Sequence, residues 1–376
     1  MIQAIAILCL AVYGALISLI VGMKLEYGKK YDVSDSKTGL LFSGFMLAGA
    51  IGVIFLSSMI DILGYRTVTI FGFFFTSVAL LMLAMARNYT WTLAMYIILS
   101  IGAMCIISTG NTILPQVLFG GENESAATNL GNAFYGVGAF LVSYTLTGAL
   151  RKFGQKATIT FFALILMAIA IMAFFAEFPV NESTFSFKDL PAVLTNPIFI
   201  LALAANFFGA GVENGVNSWA NTYMSRLGAD DQTANRSLSV FFVAVFVSRL
   251  IAATFVTPAN TPIVLLGIAV ISVVVLSVMI ATSSHKIGLV CVGLMGMLMG
   301  SVCPDVFGFM FSNTDPAYHG TAFGILFATG LAGASVISGL VGMVTRKRSF
   351  KFGFVVNIAG SVLLAACAII AAVIGA

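Results

Sequence analysis

Apolar residues run along the chain in blocks of twenty or more, broken by short polar turns. An α-helix needs about 20 apolar residues to cross a bilayer. The blocks therefore predict spans over 4–25, 39–61, 67–87, 90–117, 126–150 and 157–178. A more polar stretch follows, EFPVNESTFSFKDLPAVLTNP, which holds three of the eight prolines and four charges. Six further blocks predict spans over 197–225, 234–257, 262–284, 287–312, 319–344 and 352–374. The expected fold class is an all-α membrane protein with 12 transmembrane helices in two six-helix bundles. Turns as short as DILGYR and TPANTP make neighbouring spans antiparallel.

Composition narrows the function classes. Of the 376 residues, 60% are hydrophobic and 9% are charged. A soluble domain carries about 25% charged residues, so a soluble surface is excluded. The mean hydropathy of +1.06 agrees. The net charge of +4 is scattered over loops and makes no basic stripe, so nucleic acid is not an expected partner. Cys9, Cys105, Cys291, Cys303 and Cys367 sit in apolar runs without a second Cys or a His at ligand spacing. They read as small buried hydrophobes, and no metal or cofactor is expected. The first block lacks a basic leader and an A-x-A-like cleavage site, so it reads as the first span. There is no G-x-x-x-x-G-K-[ST] loop for ATP. His285 and His319 lie at loop edges, and neither a Ser-His-Asp nor an H-E-x-x-H arrangement can be drawn; an enzyme is not expected. Gly320, Gly324, Gly330, Gly333, Gly339 and Gly342 cluster on the eleventh span and its flank, where small residues let helices approach closely.

Ionisable residues within a bilayer cost about 2.5–3.5 kcal/mol or more at mid-helix, so each calls for a reason. Three stand well inside predicted spans, Glu213, Arg249 and Asp305, all in the second half. The first half offers amides and hydroxyls instead: Asn111, Gln116, Asn132 and Tyr135, with Tyr13 and Ser18 in span one. On span seven, at about 100° per residue, Asn206, Glu213 and Asn217 fall within about 40° of one another. Asn214, Trp219 and Asn221 flank this stripe. It must face protein or a water-filled cavity. Two readings stand: interhelical glue, or a substrate wall. Each amide both donates and accepts, which matches the hydroxyls of a neutral polyol. Trp219 either stacks on a sugar face or anchors at the bilayer interface, where Tyr223 is also placed. Glu213 is a candidate proton carrier or a salt-bridge partner of Arg249, and protonation would break such a pair. Asp305 follows Pro304, where the helix ladder is interrupted. It is a candidate to accept freed backbone donors, to pair with Arg249, or to carry a proton.

The turn SSMIDILGYR resembles the signature loop of the major facilitator superfamily, G-x-L-x-D-x-x-G-x-R. Asp61, Gly64 and Arg66 match it, and Ser57 stands where glycine is usual. Upstream, YGALISLIVGMKLEYGKKYDVSDSKTGLLFSGFMLAGAIG is similar to the family's first two spans. Pro304 and GTAFGILFATGLAGASVISGLVG are similar to its tenth and eleventh. The resemblance covers nearly the whole chain. It implies an N-terminal bundle over 1–178, a central linker over 179–196 and a C-terminal bundle over 197–376, each bundle a 3+3 inverted repeat. It also implies alternating access, with Asp61, Gly64 and Arg66 as a conformational latch. STGNTILPQVL, NLGNAFYGVGAFL and GVENGVNSWANTYM resemble the fucose, galactose and glucose–proton symporter group, which carries an acidic residue followed by Trp or Phe on span seven. VSRL is similar to a glycine-arginine pair on span eight, with Ser248 for the glycine. The acidic residue of the fucose member's first span has no match. The implied function is proton-coupled uptake of a neutral monosaccharide or similar polar solute by a monomer in the plasma (inner) membrane. Other readings are a carrier of an organic anion held by Arg249, an exporter of amphipathic drugs, or a non-transporting receptor.

Basic residues complicate the orientation. The loops after spans one, three, five, seven, nine and eleven hold nearly all of them, including Lys24, Lys29, Lys30, Lys37, Arg346, Lys347, Arg348 and Lys351. The positive-inside rule would place both termini outside the cytoplasm. The resemblance places both inside, and the termini are assigned to the cytoplasm on that ground. A host membrane of inverted potential, or a chain altered away from nature, would account for the conflict.

Overall fold

A computed structural model describes residues 1–180, 190–347 and 351–374. Residues 181–189 of the expected linker lie outside the described residues. The helices are α1 (Ile2–Tyr31), α2 (Asp35–Ala84), α3 (Tyr89–Val117), α4 (Glu124–Phe174), α5 (Leu190–Leu194), α6 (Pro197–Asn217), α7 (Ala220–Arg226), α8 (Asp231–Phe255), α9 (Thr261–Ala281), α10 (His285–Met299), α11 (Val302–Ser312), α12 (His319–Lys347) and α13 (Val355–Ile374). No strand occurs among the described residues.

Among the described residues, ten helical stretches are long and apolar enough to cross a membrane. Two of them, Lys37–Ala84 and Glu124–Phe174, contain 48 and 51 residues. At 1.5 Å per residue each would, if unbroken, be about 72–77 Å long, more than twice the hydrocarbon thickness of about 30 Å. Each is broken at one glycine, Gly64 (φ 79°, ψ 158°) and Gly154 (φ 77°, ψ 168°). This conformation is open to glycine and strained for an L side chain.

The contacts show that the chain reverses at both breaks. Gly44 faces Leu93 and Ile97, Gly49 faces Met104, and Ser57 Oγ lies 2.6 Å from Ser108 Oγ. The first part of α2 thus runs alongside α3. Beyond Gly64 the order inverts: Gly72 faces Cys105 and Ile106, and Trp91 Nε1 donates to the Met82 carbonyl at 3.2 Å. In α4, Tyr135 packs on Gly14 and Leu146 on Gly22, so its first part follows α1. Beyond Gly154, Ala163 accepts from Ser77 Oγ and Phe174 from Arg66, so α4 runs opposite to the returning part of α2. Two double-length helices and eight single ones make twelve crossings. The expected turn at DILGYR and the gap expected over 151–156 are helix up to a single glycine pivot.

Cα packing separates two units. The first holds Met1–Gly121, Gly131–Ser186 and Pro316–Ile325, and the second holds Glu122–Leu130, Phe187–Asp315 and Leu326–Ala376. In the first, α1 and α3 run antiparallel: Gln3 Nε2 donates to Val117 O and Tyr96 Oη to Ile20 O, both at 2.8 Å.

Two spans of the second unit are interrupted. The single helix expected over 197–225 stops at Asn217 and resumes at Ala220. The one expected over 287–312 is broken at Gly300–Ser301. Pro304 explains the second break, since it has no N–H and its ring crowds the preceding turn. These interruptions position most of the charged groups described below.

Candidate functional site

In the first unit, four of the six expected polar residues form two pairs. The rings of Tyr13 and Tyr135 stand 5.9 Å apart and tilted by 36°. One turn before Tyr135 on α4, Asn132 Nδ2 donates to Asn111 Oδ1 at 2.9 Å. Asn111 is fully buried and donates in turn to the Ile107 carbonyl at 3.0 Å on its own helix. The fifth, Gln116, is engaged elsewhere: its Nε2 donates to the Tyr65 hydroxyl at 2.5 Å. Tyr65 was not expected from the sequence; its place beside the turn motif suggested only a loop residue.

Asp61, Gly64 and Arg66 have three different tasks. Asp61 Oδ1 accepts from Gly320 N at 2.8 Å, and Oδ2 accepts from Thr321 N and Oγ1, each at 2.6 Å. The carboxylate thus caps the first turn of α12, where unpaired N–H groups and the helix dipole favour a negative charge. Gly64 provides the reversal. Arg66 Nη2 donates to Phe174 O at 2.5 Å, and its guanidinium lies 5.2 Å from the Phe174 ring centre. It ties the two reversing helices to each other.

In the second unit the polar stripe of span seven is divided by its contacts. Asn206 is buried and donates to the Leu326 carbonyl of α12 at 2.7 Å, with Gly330 against its amide. This is the glue reading for that residue. Asn214 donates to Ala210 O one turn back, at 3.0 Å. Trp219 donates from Nε1 to Ser338 O at 3.2 Å, and its ring lies over Gly342. It bridges to α12 at the break between α6 and α7. Tyr223 is fully buried and donates to Met279 O at 2.8 Å, which corrects its expected place as an interfacial anchor. Glu213 and Asn217 are half-buried, as are Asn214 and Trp219.

The three intramembrane charges converge. Glu213 and Arg249 interact electrostatically, and Cys303 is influenced by Glu213, Arg249 and Asp305 together. Arg249 Nε donates to Gly300 O at 2.9 Å, at the break between α10 and α11. That carbonyl is available to a cation because the helix stops there. Asp305 is fully buried and accepts from Asn129 Nδ2 at 2.6 Å. Beside it, Thr128 Oγ1 donates to Pro304 O at 2.8 Å. Asn129 and Thr128 were missed in the sequence. Asn129 stands in a stretch crowded with amides, and nothing local singles it out. No group of three or more His, Cys, Asp or Glu able to hold a metal occurs among the described residues. Apart from the turn motif, the polar residues described in the first unit are uncharged donors and acceptors, and those of the second include two carboxyls with one guanidinium.

The family model of the Major Facilitator Superfamily matches residues 4–339. No curated protein matches the chain. Among solved structures, the chain resembles a point variant of the E. coli fucose:proton symporter FucP, at 18% identity and a TM-score of 0.80, covering 98% of each chain. FucP in its outward conformation matches at 18% identity and a TM-score of 0.79, covering 98% of this chain and 99% of that one. A bacterial homologue of the iron transporter ferroportin, in its outward-facing state, matches at 12% identity and a TM-score of 0.79, covering 98% of each.

Proposed function

Since the chain belongs to the major facilitator superfamily, we propose that it is a secondary carrier that takes up a neutral monosaccharide or similar polyol with a proton. The carrying observation is the division of chemistry described above. Tyr13, Asn111, Asn132 and Tyr135 provide ring faces and amides without charge. A sugar presents hydroxyls that both donate and accept, and apolar ring faces that stack on aromatics. Glu213, Arg249 and Asp305 provide titratable chemistry gathered in one place. Asn214, Asn217 and Trp219 are the proposed sugar contacts of the second unit, close in sequence to the carboxyl of Glu213, whose protonation would couple to binding. Likeness to a fucose:proton symporter supports the fold on which this reading rests. Alternating access follows from the family's architecture, and the two bundles over 1–178 and 197–376 are the proposed moving parts.

The test is uptake of labelled hexoses into proteoliposomes with and without an imposed pH gradient. Uptake should rise when the interior is alkaline. No uptake, together with no shift in melting temperature for any sugar, would overturn the reading.

A further inference from the structure

We propose that Asn129 and Asp305 form a proton-binding site, filled on Asp305 Oδ2, whose occupancy sets the hold of α11 on the first turns of α4. The consequence for transport rests on the proton coupling proposed above; the site itself stands on its own geometry.

Hydrogen-bond accounting carries the inference. Both N–H bonds of the Asn129 amide are used, one to Ser125 O at 2.9 Å and one to Asp305 Oδ1 at 2.6 Å. Rotating the amide would set its oxygen against those two acceptors, so its orientation is determined. Two buried oxygens then have no donor within bonding distance, Asn129 Oδ1 and Asp305 Oδ2, with the Ser301 hydroxyl the one other group that acts on this carboxyl. They belong to side chains already joined through their other atoms. A buried acceptor without a partner is costly, and here two occur on side chains that are bonded to each other. One hydrogen on Asp305 Oδ2 satisfies both, by donating to Asn129 Oδ1. The pair then has the reciprocal form of an amide bound to a carboxylic acid.

Charge counting points the same way. Glu213 on α6, Arg249 on α8 and Asp305 itself all act on Cys303, which lies two residues before Asp305 on α11. On α4 the first turn holds Glu124, and Glu122 lies just before it. Thr261–Ala281 of α9 contains no ionisable residue. With both inner carboxyls ionised, the surroundings of Cys303 would hold two negative charges and one positive. With Asp305 protonated, Glu213 and Arg249 balance, and the uncompensated charge is gone.

The site is closed to solvent, and the helices that carry it touch. Asn129 and Asp305 are both 0% exposed. A Cβ on Gly308 would collide with Ser125 backbone, so α11 and α4 touch directly. Thr128 adds its bond to Pro304 O alongside. On loading, H⁺ comes from water and forms the Oδ2–H bond. On release that bond breaks and H⁺ returns to water, leaving two acceptors opposed and the contact weakened.

The test is pH-difference infrared spectroscopy of the purified protein in lipid nanodiscs, read at the carboxylic-acid C=O stretch. Wild type should show a buried protonated carboxyl that Asp305→Asn loses and Glu213→Gln retains. Asn129→Ala should shift the frequency of that band, since its acceptor is gone. The Asn variant keeps the shape of the acid, so folding should survive; the Asn129→Ala shift gives a second reading in any case. A band that persists in Asp305→Asn, or no protonated carboxyl in wild type at any pH at which it is folded, would overturn the proposal. None of this requires a known solute. If hexose uptake is absent and the infrared result holds, the sugar reading fails and the proton site stands. If uptake is present, Asp305→Asn should keep solute–solute exchange and lose gradient-driven accumulation.

Discussion

Asp61 accepts three hydrogen bonds on two oxygens, all from the first turn of α12. An amide in its place keeps one acceptor and turns an N–H toward donors. Asp61→Asn should therefore lose about 2 kcal/mol, combining an opposed donor with the lost charge at a helix N-terminus. Thr321→Val removes one donor and leaves both backbone bonds, and should lose about 1 kcal/mol. Thermal unfolding of the two purified variants checks the order; a Thr321→Val loss as large as that of Asp61→Asn would contradict the backbone share. The sequence motif pointed to Asp61, Gly64 and Arg66 as a group but could not separate their tasks. Those tasks depend on Phe174 and on Gly320, more than a hundred residues away in each case. The amide stripe of span seven was legible because helical periodicity is local. That Asn206 meets Leu326 was not, and neither was Asn129, whose acid partner lies 176 residues on. Spacing along one helix reports which residues share a face, and it carries no information about what that face touches.

Helix crossings in this protein are held at backbone distance. A Cβ on Gly138 would strike the Ala11 carbonyl, and one on Gly14 would strike that of Tyr135, so α1 and α4 meet without side chains between them. Gly138→Ala should force the pair apart and lose about 1–3 kcal/mol or more, as overpacking does. Gly148, on the same helix, has nothing within 4 Å of its would-be Cβ. Gly148→Ala should be neutral or gain up to about 1 kcal/mol from helix propensity. Melting temperatures of the two variants decide it, and equal losses would refute the crossing argument. At this scale hydropathy read well for whole spans, since α3 begins and ends within one residue of the expected 90–117. It failed where apolar sequence continues through a change of backbone. The breaks at Ser218–Trp219 and Gly300–Ser301 lie inside expected spans, and only Pro304 announced one of them, whereas the reversals at Gly64 and Gly154 fall in the gaps expected between spans.

For the molecule as a whole, the tension is between its charge distribution and its assigned orientation. The loop after span one holds Lys29, Lys30 and Lys37, the next on that side Arg87, and the next Arg151, Lys152 and Lys156. With both termini in the cytoplasm, these loops face outward. Each cation set against a membrane potential costs about 2.3 kcal/mol per 100 mV. The count of basic residues makes that a large bias in an ordinary membrane, and it changes sign where the potential is inverted. The other face carries Asp61 and Arg66, whose bonds to Gly320, Thr321 and Phe174 bind the family's turn motif into the fold. A motif engaged in this way outweighs a statistical bias, so we propose that the termini lie inside. Arg87 is exposed between α2 and α3, whereas four of the five natural cysteines are buried and Cys303 is half-buried. Arg87→Cys should therefore react with a membrane-impermeant maleimide in intact cells, above the wild-type background. A cysteine at exposed Arg66 should react only after permeabilisation. The reverse pattern would place the basic loops in the cytoplasm and the termini outside, and would make the charge distribution the stronger guide for this chain.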